Sequence, residues 1–312
     1  MKLISYKYKG VIGSYRTGLL YEEGVIDLQE SYRSMLLHEE EKELVNIVDT
    51  LLPHTPDDFF KLGLIGIHRA KEVDMYMKDQ HITNLFISRK DIRLGAPVPN
   101  PSKIICVGKN YKDHVAEMKS DIPEYPVLFA KFNNALIGPE DDIEKSSMTN
   151  KLDYEVELAI IIGKEATSIN EDEALDYVAG YTIGNDVSAR DLQKRTPQWL
   201  QGKSLDRSTP VGPWIVTTDE LTNPSNLNVK TLINGEVRQS SNTKHLIFSV
   251  PFIISFISNL ITLEPGDIIL TGTPDGVGMA MNPPCFLQAG DNISMEIENI
   301  GTLENTVVNS RK

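Results

Sequence analysis

Two glutamates and one aspartate carry the strongest chemical signal in this sequence. Glu155 and Glu157 lie in the run Leu152-Asp153-Tyr154-Glu155-Val156-Glu157-Leu158-Ala159-Ile160-Ile161-Ile162-Gly163, whose alternation predicts a β-strand. Side chains two apart on a strand share a face, so both carboxylates point one way, and the same face continues through apolar Ala159 and Ile161. Two glutamates on a strand are ordinarily a solvated face. A third acid changes that reading. Asp186 follows the short strand signal 180–184, and reaches the glutamate pair if the two strands share a sheet. Like charges at the rim of a buried surface repel and lose hydration unless a cation neutralises them. Three carboxylates plus water suit a hard divalent ion: Mg2+ first, Mn2+ next, Ca2+ less readily. Such a site keeps open positions for a chelating substrate.

Several other groups could join that chemistry. Lys103-Ile104-Ile105-Cys106-Val107 predicts a buried strand, followed by Gly108-Lys109-Asn110-Tyr111-Lys112-Asp113-His114-Val115-Ala116-Glu117. Asn110 and Asp113 have capping-box spacing, so a short helix is expected, with His114 and Glu117 neighbours on one face. A carboxylate beside an imidazole orients it and raises its basicity, which suits a general base acting on water. A surface ion pair is the plainer alternative. Gly108 permits a mobile lid. Beyond Asp186, Ser188 is expected to cap a helix on which Arg190 and Gln193 share a face. Arg190 there pairs with a substrate carboxylate, braces the acids, or forms a structural salt bridge. Lys203, beside Gly202, would stabilise negative charge developing on an enolate, although an isolated lysine is usually just solvated. Lys131, flanked by Phe129, Ala130 and Phe132, either snorkels or points into a pocket. The run from Ile268 to Gly278 predicts a buried strand opening into a glycine-rich loop, where backbone N–H groups and the Thr273 hydroxyl approach an anion or simply make a tight turn. It is neither a P-loop nor a dinucleotide fingerprint.

The elements that position these groups must come from a chain of 312 residues, 40% of them hydrophobic, enough for one large or two modest domains. A formal net charge of −13 argues against nucleic acid and against an anionic membrane surface. An acidic substrate must then be drawn in by local cations. Cys106 and Cys285 make no disulfide framework, and the N-terminus has no signal-peptide core, so a cytoplasmic setting is expected. The apolar stretch Leu246 to Ile257 is interrupted by Ser249, Pro251 and Ser255 and is too short to span a bilayer.

The texture divides the chain. Residues 1–95 give strand signals at 3–8 and 11–21, then helical patterns at 28–52 and 57–77, with Glu39, Glu40, Glu41 and Glu43 expected on one exposed helix. They are expected to form a small α/β accessory domain. Residues 96–102 form a proline-rich linker. Residues 103–312 are rich in strands and turns, including a hairpin at Asn234-Gly235. A helix capped by Asn170 with a capping box at Glu173 is expected before the strand at 180–184.

Taken together, the blocks Gly108-Lys109-Asn110-Tyr111 with Asp113-His114, Asp153-Tyr154-Glu155-Val156-Glu157-Leu158, Gly180-Tyr181-Thr182, Asn185-Asp186-Val187-Ser188-Ala189-Arg190-Asp191, Gly202-Lys203-Ser204 and Thr271-Gly272-Thr273-Pro274-Asp275-Gly276-Val277-Gly278 resemble the fumarylacetoacetate hydrolase family in its bacterial two-domain form. The resemblance covers roughly residues 100–305. It is closest to the oxaloacetate decarboxylase and acylpyruvate hydrolase branch. It implies a β-rich α+β fold, a mixed β-sandwich roll carrying a small N-terminal α/β domain, and a homodimer. It implies magnesium or manganese held by Glu155, Glu157 and Asp186, with His114 and Glu117 as a lid dyad ordered by substrate. Lys203 would act as a catalytic cation facing the substrate, with Lys131, Arg190, Gln193 and Thr273 lining the pocket. Arg207 departs from the family pattern, where a small residue is usual. The expected activity is a magnesium-dependent reaction of a small 2-oxo acid through a metal-bound enolate, oxaloacetate decarboxylation first. Acylpyruvate hydrolysis and 2-hydroxyhepta-2,4-diene-1,7-dioate-type isomerisation are the alternatives. A non-catalytic metabolite-binding protein is the reading from another class. A nuclease or phosphatase is disfavoured, since no second metal-ligand cluster or phosphate cradle is present.

Overall fold

In the computed structural model, which describes residues 1–310, the acid-bearing strand lies near the middle of a large mixed sheet. That strand, Val156–Ile162, is buried along its whole length, as its β-branched run requires. It pairs antiparallel with Val178–Asn185 on one side and with Ile268–Leu270 on the other. Ile268–Leu270 runs parallel to Ile104–Gly108, which pairs antiparallel with Val127–Lys131. A second, five-stranded sheet holds Asn228–Ile233, Glu236–Asn242, Asn292–Ile297, Gly301–Asn309 and Ile143–Lys145. The architecture is β-rich α+β with open mixed sheets.

The two faces of Val156–Ile162 serve two cores. Val156, Leu158, Ile160 and Ile162 pack with Val229, Ile293, Met295 and Leu303 of the second sheet. Ala159 and Ile161 pack with Phe59, Ile67 and Val73 from the N-terminal helices. Each of the larger of these buried side chains, the Val, Leu, Ile, Phe and Met residues, contributes roughly 1.5–3 kcal/mol. Glu155 and Glu157 therefore stand at one end of the face that leads toward the N-terminal helices. The first strand, Lys2–Tyr8, pairs with Thr209–Thr217, so residues on both sides of the proline-rich stretch share the large sheet. That stretch is not a solvated spacer, because Ala96, Pro97 and Val98 are buried.

Local chemistry explains several differences from the sequence expectations. The exposed acids Glu39, Glu40 and Glu41 sit on a turn rather than within one helix, between helices Leu28–His38 and Lys42–Val45; Glu40 has φ 63. The segment after Asn170 is a 3₁₀ helix, Glu171–Tyr177, and Asn170 makes no side-chain cap. Asn234 and Gly235, with φ 51 and 82, turn the hairpin as their types require. Helix Val250–Ser258 is capped by Ser249. Among the described residues no helix is long and apolar enough to cross a membrane.

Candidate active site

The three acids named by spacing meet. One oxygen from each of Glu155, Glu157 and Asp186 lies within 4.8 Å of the others, and all three side chains are buried. The Val156–Asn185 register aligns the strand ends that carry them, and Asp186 N donates to Glu155 O at 2.9 Å. An all-oxygen, all-carboxylate set of this size fits a hard divalent cation.

Three buried cations surround the trio. Lys203 Nζ is 2.6 Å from both Glu155 Oε2 and Asp186 Oδ2. Arg190 Nη2 is 2.6 Å from Glu155 Oε1, and its Nε donates to Asp153 Oδ2 at 2.8 Å. Lys131 Nζ donates to Asp186 Oδ1 at 2.7 Å and to the Val187 carbonyl at 3.1 Å. Lys131 thus points inward rather than snorkelling, but it stands behind Asp186 and does not line the cavity. Lys203 lies on a helical turn, Leu200–Lys203.

Burial drives both glutamates toward the protonated state, and their neighbours decide differently. At Glu155 the Arg190 and Lys203 cations outweigh burial and hold the carboxyl below its usual range. At Glu157 burial comes first, and the Asp186 and Glu155 charges add to it. That pKa is pushed well above the ordinary 4.5, with Lys203 and the Gly272 N–H offsetting only part. Burial lowers the Lys203 pKa, but Asp186 and Glu155 more than reverse this, so it is raised.

The N–H groups of the glycine-rich loop are taken by the protein's own acidic side chains. Gly272 N donates to Glu157 Oε2 at 2.6 Å, Gly276 N to Glu117 Oε1 at 3.0 Å, and Gly278 N to Asp153 Oδ1 at 2.7 Å. Gly272 and Gly276 have φ 102 and 93, and a Cβ on Gly276 would lie 2.0 Å from Arg238 O. Thr273 Oγ1 accepts from Gln239 Nε2 at 2.9 Å.

His114 and Glu117 share the helix Lys112–Glu117, with Nδ1 and Oε2 3.4 Å apart. His114 is buried, so the surface-pair reading does not hold. Asn110 is not the helix cap. Its amide donates to Phe248 O and Thr271 O at 3.1 and 2.8 Å and accepts from Phe248 N at 2.7 Å. Ser188 is not a cap either, and its hydroxyl donates to Asp186 O at 3.0 Å. Arg190 and Gln193 do share a face, 3.2 Å apart. A cavity of about 330 Å³ is lined by His114, the acidic trio, Arg190, Gln193, Lys203 and Thr273. Arg207 is outside this lining and pairs with Glu144 at 3.0 Å.

Asp153 escaped sequence reasoning. It is buried and accepts from Arg190, Gly278, Met279 and Tyr154. Its parity with Glu155 and Glu157 was the available signal.

A mixed-sheet α+β scaffold with an acidic trio, buried cations and an imidazole–carboxylate pair around one cavity has the makeup of an enzyme site. Residues 103–308 match the family described as fumarylacetoacetate (FAA) hydrolase, C-terminal. Over 301 residues the chain is 42% identical to the oxaloacetate tautomerase YisK of Bacillus subtilis (strain 168), covering 94% of this chain and 99% of that protein. The solved 2-hydroxyhepta-2,4-diene-1,7-dioate isomerase from Mycobacterium marinum matches with a TM-score of 0.72 at 32% identity, covering 100% of each chain. Maleylpyruvate hydrolase from Sphingobium sp. SYK-6, in complex with manganese (II) ion and pyruvate, matches with a TM-score of 0.75 at 28% identity, again over 100% of each. The chain belongs to the fumarylacetoacetate hydrolase family, and these enzyme relatives support enzymatic activity.

Proposed function

We propose that this protein is a divalent-metal-dependent enzyme of small 2-oxo acids that interconverts the keto and enol forms of oxaloacetate. The observation that carries this reading is the shared cavity: the acidic trio and His114, which has Glu117 beside it, line the same space of about 330 Å³. The relative named as an oxaloacetate tautomerase supports the substrate, and the manganese–pyruvate complex of the hydrolase relative supports the ligand class. Glu155, Glu157 and Asp186 would hold Mg2+ or Mn2+. The bound ion would supply Lewis acidity, polarising the 2-oxo group so that the C3–H bond is weakened.

The chain's own residues do the rest. Two of the three ammonium hydrogens of Lys203 are committed to Glu155 and Asp186, leaving one for a substrate oxygen. Gln193, held by Arg190, and Thr273, held by Gln239, orient polar substrate atoms. His114, steadied by Glu117, moves the proton at C3. In the direction of ketonisation the imidazolium gives that proton to C3 while the enol hydroxyl proton leaves to water. Glu117 is itself fixed by Gly276 N, so the loop sets the position of the base.

The test is the decay of freshly dissolved enol oxaloacetate, followed by ultraviolet absorbance, with pyruvate release measured in parallel. Tautomerase activity appears as enol decay faster than in metal-containing buffer alone, abolished by chelator. Decarboxylation, the activity expected first from the family resemblance, appears as stoichiometric pyruvate. Neither signal at any divalent-ion concentration would overturn the proposal.

A further inference from the structure

Two lysines at the cavity have no work in the site described above. Lys109 and Lys194 both line it. Lys109 Nζ lies 2.5 Å from Ser120 Oγ, and neither lysine is paired with a carboxylate among the described residues. In a chain of net charge −13, carboxylates are abundant, so an unpaired basic group beside a cavity is informative. Lys109 is also held in left-handed backbone, with φ 57, which a non-glycine residue adopts only when its surroundings enforce it. They do so here. Asn110 is pinned by three hydrogen bonds, and Gly108 is packed so closely that a Cβ would sit 2.7 Å from the Trp199 ring.

The charge at the inner end is already matched: Arg190, Lys131 and Lys203 are all engaged with acids. Phe129, Trp199, Met118 and Met279 contribute apolar wall, which strengthens any charge pairing inside it. We infer that Lys109, assisted by Lys194, is a specificity determinant that receives the second carboxylate of a 2-oxo dicarboxylate. The cavity would thereby select diacids over 2-oxo monoacids of equal length. This rests on the 2-oxo acid reading, and it identifies the substrate class within it.

The test uses the full chain with magnesium, as wild type, Lys109→Met and Lys109→Arg. Three ligands are compared: oxaloacetate, acetylpyruvate (a methyl ketone where oxaloacetate has its second carboxylate) and oxalate, which has no distal group. Lys109→Met is expected to raise the oxaloacetate KM about tenfold or more, the loss of one charge-assisted contact. The acetylpyruvate inhibition constant and the calorimetric oxalate affinity are expected to change by less than about threefold, well short of that contact. Lys109→Arg is expected to recover most of the oxaloacetate affinity. Equal losses for all three ligands, or an unchanged oxaloacetate KM, would overturn the inference while leaving the 2-oxo acid reading standing. A wild-type protein that binds oxalate but neither 2-oxo acid would sink both.

Discussion

Replacing Glu157 by glutamine tests the electrostatic core of the site without touching its shape. Glu157 is 2% exposed and faces Asp186, Glu155, Lys203 and the Gly272 N–H. Burial and its two acidic neighbours push its pKa well above the ordinary 4.5. Without a cation, the folded chain keeps this proton at pH values where the unfolded chain has lost it. The folded state then binds more protons than the unfolded one, so stability falls as pH rises. The contribution is complete below about 4.5 and is lost as pH climbs through the raised folded value. The loss approaches about 1.4 kcal/mol per pH unit for one proton. At about 2 °C per kcal/mol for a chain of this size, that is about 3 °C per unit. A divalent ion must displace the proton, so its apparent affinity rises up to about tenfold per pH unit over the same window. Melting by scanning fluorimetry from about pH 6 to about pH 8, with and without manganese, reads both effects. Glu157→Gln, neutral throughout, should lose the metal-free slope and the manganese gain together, while the wild-type gain grows with pH. Parallel pH profiles for wild type and variant, or a manganese gain indifferent to pH, would refute the reasoning.

Two further variants separate other parts of the site. His114→Gln should lower turnover by about 10²–10⁴-fold, the usual range for a positioned proton carrier, while manganese still raises the melting temperature; unchanged turnover would remove His114 from the mechanism. Asp153→Asn should destabilise the fold by about 3–5 kcal/mol in urea unfolding, because it breaks the buried pair with Arg190. Both Asp153 oxygens accept from N–H groups, so either orientation of an amide turns a donor toward a donor; a loss under about 1 kcal/mol would contradict that account.

The acidic trio was legible because a strand's period of two fixes which side chains share a face. The helix spacing of His114 and Glu117 was legible for the same local reason. Contacts made at long range were not. Nothing near Lys131 or Lys203 in sequence says that each closes on Asp186, 55 and 17 residues away. The glycine-rich loop was read as an anion site or an ordinary tight turn, and the partners of its N–H groups, Glu157, Glu117 and Asp153, lie 115, 159 and 125 residues away. The helix-capping patterns at Asn110 and Ser188 failed because other hydrogen bonds claim those side chains: long-range ones at Asn110, and a local one to the Asp186 carbonyl, two residues back, at Ser188. The proline-rich stretch read as a linker from composition alone, while its burial depends on strands elsewhere in the chain.

The charges of the site also explain how a strongly acidic protein could attract an anion. Asp153, Glu155, Glu157 and Asp186 face the buried cations Lys131, Arg190 and Lys203. With Glu157 protonated, as its surroundings favour, these seven groups balance and the inner end of the cavity has no net pull on a substrate. A divalent ion that displaces that proton adds two positive charges and uncovers one negative charge. That inner end then becomes net positive by one, inside a chain of net charge −13. Metal loading would therefore make this inner end an anion site as well as supplying the Lewis acid, and binding would follow the order ion first, 2-oxo acid second. Lys109 and Lys194 at the same cavity extend that positive field toward a second carboxylate. The same arrangement disfavours a substrate with no negative charge, since nothing would offset the excess positive charge left by the ion in a low-dielectric pocket.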